Sequence, residues 1–163
     1  MDLEDKHRLL HELRARLAAQ YATLVAAQKS AQEGAVHPDA KAEHSKDTRS
    51  IESGYLARGL AERAETLRDG LRALDLLRLR EFGDDDAATV GAVVTLASTD
   101  GRETHYFLAP SGAGETIRIG LDDVVVLTPR SPLGVAMSGR RAGDSVRAEL
   151  PTGLLLADVD RVR

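Results

Sequence analysis

The chain opens with LEDKHRLLHELRARLAAQYATLVAAQKSAQ (Leu3–Gln32), and after an irregular stretch it reads GYLARGLAERAETLRDGLRALDLL (Gly54–Leu77). In the first run Leu3, Leu10, Leu17 and Leu24 recur at a seven-residue spacing, with Leu13 and Tyr21 in the intermediate steps. That period describes a helix with one apolar stripe. In the second run Leu56, Leu60, Ala64, Leu67, Leu71, Leu74 and Leu77 follow one another at spacings of three and four, again one face of a helix. Each stripe can be buried against the other. In an antiparallel pair the numbers of facing residues add to a near-constant value: Leu3 with Leu77, Leu13 with Leu67 and Leu24 with Leu56 give 80, and Leu10 with Leu71, Leu17 with Ala64 and Tyr21 with Leu60 give 81, which puts the bend near residue 40. Gly34, His37 and Pro38 interrupt the pattern there. With roughly thirty residues per arm and a rise of about 1.5 Å per residue, the expected hairpin is a rod of about 45 Å.

Working outward, helix one is expected over Leu3 to Gln32 and helix two over Thr48 to Arg80, with Gly54 and Gly59 loosening the latter. His7 and His11 lie four apart on one helical face, a spacing that can hold a metal but more often marks a solvated flank. The tip, near residues 33–47, gathers Glu33, Asp39, Glu43, His44 and Asp47. Acidic residues and a capping Ser45 or Asp47 suit a helix N-terminus, and they also suit a cation held jointly with a partner. Phe82, Gly83 and the run Asp84, Asp85 and Asp86 read as the end of helix two and a solvated linker.

Beyond residue 83 the composition turns to Val, Thr and Gly, so two domains are expected, a coiled-coil hairpin over 1–82 and a β domain over 83–163. Strands are predicted at Val90 to Ala97, Glu103 to Leu108, Thr116 to Ile119, Val124 to Thr128 (apolar throughout and so expected to be central), Ser145 to Leu150 and Leu154 to Val162. Between the fourth and fifth, Ser131 at an N-cap, Pro132 at the first helical position and Gly139 just past the end define a two-turn helix. The fold class is therefore α+β, with a small antiparallel sheet over one short helix.

Composition narrows the function. The chain has no Cys, which points to a reducing compartment and excludes disulfides and thiolate metal sites. No apolar run is long enough to span a membrane, and Asp2, Glu4 and Asp5 do not suit a signal peptide, so a soluble cytoplasmic protein is expected. The net charge is -4, and residues 83–163 account for it with twelve acidic against eight basic side chains. That balance disfavours free duplex nucleic acid as the main partner, and an aromatic content of 3% removes the stacking platforms of single-strand binders. Arg14, Arg16, Arg58, Arg63, Arg68 and Arg72 could form basic stripes on the hairpin or simply its solvated flank.

The run Ser131-Pro132-Leu133-Gly134, followed by Ala136, Gly139, Gly143-Asp144, Val146, Pro151 and Gly153 after a long helical hairpin, resembles the bacterial Gre transcript-cleavage factors. The resemblance covers both halves in order. It implies a C-terminal domain of the FK506-binding-protein type that docks on core RNA polymerase through Ser131, Pro132, Leu133, Gly134, Arg140, Arg141, Gly143 and Asp144, while the hairpin enters the secondary channel. It also implies a monomer with no cofactor of its own, meeting nucleic acid only inside the polymerase, whose tip acids help hold a magnesium ion at the polymerase active site. The nuclease is then the polymerase, and this chain is not an enzyme. The tip departs from the family pattern: aligning Tyr55 with the family tyrosine puts Thr48 and Ile51 where the carboxylates belong, leaving Asp39, Glu43, Asp47 and Glu52 as candidates. A peptidyl-prolyl isomerase is the enzymatic alternative, but only Tyr106 and Phe107 are available to line its pocket, and adjacent strand residues point to opposite faces. Within the same resemblance, a non-cleaving modulator or inhibitor of polymerase is the alternative to a stimulator of transcript cleavage, and a coiled-coil dimerisation protein is a further reading.

Overall fold

The computed structural model describes residues 1–36, 48–83, 85–99 and 101–163. Two helices, α1 (Leu3–Val36) and α2 (Thr48–Asp75), precede six strands, β1 (Val93–Ser98), β2 (Glu103–Leu108), β3 (Thr116–Ile119), β4 (Asp122–Leu127), β5 (Ser145–Leu150) and β6 (Gly153–Val162), with the short helix α3 (Pro132–Met137) between β4 and β5. The chain forms two compact units: residues 1–14 with 72–163, and residues 15–71.

α1 starts at a reciprocal cap. The Asp5 amide donates to the Asp2 carboxylate at 2.8 Å, and the Asp2 amide donates to the Asp5 carboxylate at 3.1 Å, so orphan N–H groups of the first turn are satisfied by side chains. The hydrogen bond from the Asp2 backbone and the nearby Arg8 guanidinium hold the Asp5 carboxyl below its usual range. Further along, the buried residues of α1 are Lys6, Leu9, Leu13 and Leu17, a staircase of three- and four-residue steps. Leu3 and Leu10, expected in the stripe from the seven-residue spacing, are only half-buried. Among the described side chains of α2 the buried ones are Ala57, Ala64 and Leu74; Leu56, expected to face Leu24, is 58% exposed while its neighbour Ala57 is at 9%. Close helix packing favours the smaller side chain in the seam, and the leucine turns outward. The two helices run antiparallel: Arg14 forms an ion pair with Asp75, and farther along α1 Thr23 and Leu24 share a groove with Arg63 and Leu67 of α2.

α2 ends at Asp75 and does not reach Arg80 as the leucine pattern predicted. The Leu77 amide bonds the Leu74 carbonyl, a tightened last turn, and the chain then leaves the helix so that Leu77 and Leu79 come up to Gly91. Phe82 is buried rather than lying in a solvated linker.

The strands form one sheet in the order β3-β4-β2-β1-β6-β5. Pairing is antiparallel except between β2 and β4, which run parallel with Phe107 beside Val126. β4 lies one strand in from the edge, whereas β2 and β1 occupy the middle, so the apolar run at 124–127 signalled burial on both sides and not centrality. The β1–β6 register shifts between Thr95 and Leu96, a bulge that leaves Val94 beside Val162 and Leu96 beside Val159. On one face Val94, Leu96, Leu108, Val146, Ala148, Ala157 and Val159 pack with Leu133 and Met137 of α3 and with Phe82 and Ala88 of the preceding segment. On the other pleat Val93, Phe107, Ile117, Val124 and Val126 are buried as well. The loop after β2 approaches α1 closely: a Cβ on Gly112 would stand 2.6 Å from Leu13 Cδ1.

α3 is set by local chemistry, as its sequence indicated. The Ser131 hydroxyl oxygen accepts from the Gly134 amide at 3.1 Å and donates to the Thr128 carbonyl at 2.8 Å, with Pro132 at the first helical position. Gly139 follows the helix with φ of 81°. Gly134 sits where any Cβ would run into the Thr128 carbonyl oxygen, a backbone atom held in place by the same cap. Gly134→Ala is therefore expected to lower stability by about 2–3 kcal/mol. Urea unfolding would show this as a lower midpoint with an unchanged slope, and an unaltered midpoint would mean that the helix can slide away from Thr128 without loss.

Candidate protein-docking surface

The signature residues of the 131–144 segment divide into two groups. Leu133 and Gly134 are buried, Ser131 is half-buried in its cap, and Asp144 is half-buried with its carboxylate accepting from the Arg141 amide at 2.9 Å. The loop is closed further by the Asp144 amide donating to the Arg141 carbonyl at 3.0 Å, the Gly143 amide donating to Val159 O at 2.8 Å and the Val159 amide donating to Asp144 O at 2.8 Å. These positions build the platform. The larger side chains it presents to solvent are Pro132, Val135 at 62% exposure, Arg140 and Arg141, with Ser138, Gly139, Ala142 and Gly143 exposed between and after them. An apolar pair beside two guanidinium groups on a rigid base is a composition suited to protein contact, since Arg combines charge with a weakly hydrated planar face.

The platform is stitched to the segment before the sheet. The Ala88 amide donates to Arg140 O at 2.7 Å and the Gly139 amide donates to Ala88 O at 2.8 Å. Two residues upstream, the Asp86 carboxylate accepts from Arg80 Nη1 at 2.9 Å and from the Gly83 amide at 2.8 Å. The hydrogen bond from Arg80 holds the Asp86 carboxyl below its ordinary range, with the Gly83 amide and the Arg141 charge acting in the same direction. Arg80 in turn lies over the Phe82 ring at 3.8 Å, and the Lys6 ammonium lies 4.7 Å from the same ring while donating to the Arg80 carbonyl. Lys6 is 1% exposed, and burial pushes its pKa down, helped by the Arg80 charge. Sequence reasoning missed Lys6 because a charged residue is not counted in an apolar stripe. Its position three residues before Leu9, in step with Leu13 and Leu17, was the available signal.

Of the tip candidates, Asp39, Glu43 and Asp47 lie outside the described residues, while Glu52 is an exposed residue of α2. Among the described residues no group of three or more His, Asp or Glu side chains is placed to hold a metal ion. His7 and His11 are exposed, and the His7 Nδ1 donates to Leu3 O at 2.8 Å. Tyr106 packs against the α3 side of the sheet, where burial raises its pKa, and Phe107 is buried on the opposite pleat, so the two aromatics do not share a pocket. The cross-strand row Thr95–His105–Asp122, at 3.0 and 3.8 Å, has the residue types of a hydrolytic triad. Its hydroxyl is buried within the sheet, which gives the row a structural role.

Residues 83–162 match the family model described as transcription elongation factor, GreA/GreB, C-term. Among solved structures the chain is similar to GreA factor homolog 1 (Gfh1) of Thermus thermophilus, at 18% identity over 92% of this chain and 94% of that one, with a TM-score of 0.39. Gfh1 of Thermus aquaticus is similar at 18% identity over 91% and 92%, TM-score 0.39. A GreA/GreB elongation factor of Nitrosomonas europaea is similar at 19% identity over 63% and 90%, TM-score 0.37. No curated protein matches the sequence.

The Lys6 geometry makes a signed prediction. Its folded pKa lies below the ordinary 10.5, so between the two values the unfolded chain binds more protons than the folded one. Stability contributed by Lys6 therefore rises with pH through that alkaline interval and is lowest beneath it. Lys6→Met lacks this rise, so the unfolding free energy of the unaltered chain minus that of the variant should grow as pH is raised from neutral. Parallel curves would show that the ammonium is not desolvated in the folded chain.

Proposed function

We propose, from the premise that this chain belongs through residues 83–162 to the GreA/GreB transcription elongation factors, that it binds core RNA polymerase and modulates elongation. Residues 83–163 supply the docking domain, and the hairpin of residues 1–82 is the arm that enters the polymerase secondary channel. The observation that carries this reading is the family match over a segment whose signature folds into a platform with Pro132, Val135, Arg140 and Arg141 exposed. Exposed arginines and small apolar side chains on a rigid base fit a protein partner, and the chain's negative charge makes free nucleic acid a poorer one. The protein acts as a monomer, meets RNA and DNA only within the polymerase, and works in the cytoplasm.

The identity of residues 48 and 51 favours a factor that does not stimulate transcript cleavage. Placing a second magnesium ion needs two carboxylates at fixed spacing, and Thr48 and Ile51 stand in those positions. Any metal assistance would have to come from Asp39, Glu43, Asp47 or Glu52, in concert with ligands from the polymerase.

Two measurements test this. The purified chain should bind core polymerase at micromolar concentration or better, and Arg140→Glu with Arg141→Glu should weaken that binding about tenfold while leaving the far-UV circular dichroism unchanged. Absence of binding by the unaltered chain ends the reading. In stalled complexes the chain should leave transcript cleavage at the rate of polymerase alone. Stimulation that disappears in Asp47→Ala would instead assign the tip a metal-holding role.

A further inference from the structure

The part of the hairpin that folds as residues 15–71 has a thin core. Among its described side chains only Leu17, Ala57 and Ala64 are buried, one leucine and two alanines. Leu24 and Leu67 remain half-buried, and they line a groove of about 670 Å³ between α1 and α2 together with Ala19, Gln20, Thr23, Arg63 and Thr66. The polar groups of this groove are unequal. Thr23 Oγ1 donates to Ala19 O at 3.0 Å and Thr66 Oγ1 donates to Glu62 O at 3.0 Å, so both hydroxyl donors are satisfied within their own helices. Arg63, by contrast, has no ion pair or hydrogen bond among the described residues.

A short, open and partly apolar groove between two antiparallel helices is a surface on which a third helix can seat a side chain, ridge into groove. The groove spans about one turn of each helix, space for one or two side chains. Its charge is a single guanidinium at the edge of leucine and alanine surface, so it favours an apolar side chain with a carboxylate one turn away, and it disfavours a basic segment. We propose that this groove is a docking slot for a helical segment of RNA polymerase presenting an apolar residue next to an acidic one, an inference that rests on the polymerase-binding reading above. The partner helix buries Leu24 and Leu67, and its carboxylate pairs with Arg63. The arm is in this way held along its side as well as at the docking domain.

The test uses the full chain and purified core polymerase. Arg63→Glu should raise the Kd about tenfold and Arg63→Lys much less, because a point charge recovers the attraction without the bidentate geometry. A photo-crosslinking amino acid at Thr66 should attach to a polymerase subunit, and far-UV circular dichroism should be the same for every variant. If the unaltered chain binds polymerase but Arg63→Glu binds equally well and Thr66 gives no crosslink, the groove proposal fails while the polymerase reading stands. If the unaltered chain does not bind, both fail together. If light scattering shows the free chain as a dimer and Thr66 crosslinks chain to chain, the occupant is a second copy and the proposal is overturned.

Discussion

A lysine removed from water must keep its ammonium satisfied, and in this protein one such lysine joins the start of the chain to the segment leading into the sheet. Lys6 is enclosed, donates a hydrogen bond to the Arg80 carbonyl and rests on the Phe82 ring, which carries Arg80 on it as well. Two cations on one aromatic ring repel each other, so the arrangement holds only while the carbonyl, the ring face and the Asp86 carboxylate absorb the positive charge. From there the connection runs through Ala88 to the loop after α3, by two backbone hydrogen bonds. The first turns of α1 and the exposed arginines of the platform thus belong to one folded unit.

The signature around α3 shows why a string of ordinary residues can be diagnostic. Ser131, Gly134, Gly143 and Asp144 are occupied with caps, close approach and loop closure, and none of them is free to vary without disturbing backbone geometry. The framework leaves Pro132, Val135, Arg140 and Arg141 exposed. A motif of this kind identifies the platform more reliably than it identifies the groups that touch whatever lands on it.

Much of the fold was legible because it is written in local chemistry. The Ser131 cap, Pro132 and Gly139 bounded α3, and alternation with turn residues bounded the strands at 103–108, 116–119 and 145–150. What was not legible depended on distant neighbours. The valines of β4 indicate burial but not which strand lies beside them, so the parallel pairing with β2 had no local sign. The sequence Leu74 to Leu79 remains a good helix by propensity, yet α2 stops at Asp75, with Leu77 and Leu79 coming up to Gly91 and Leu76 left in solvent. Leucine spacing favoured Leu56 over Ala57, although a close seam accepts the smaller residue. For the candidate site, residue types indicated a platform, but its division into framework and exposed groups required coordinates. The tip acids at 39, 43 and 47 lie outside the described residues.

One folded unit is made from the two ends of the chain, residues 1–14 together with 72–163. On a ribosome adding about 5–20 residues per second, those first residues are made on the order of ten seconds before β6 is complete. Through that interval Leu9, Leu13 and the aliphatic stem of Lys6 have no sheet domain to settle against. Nascent chains therefore expose these apolar side chains until the sheet that completes the unit has been made.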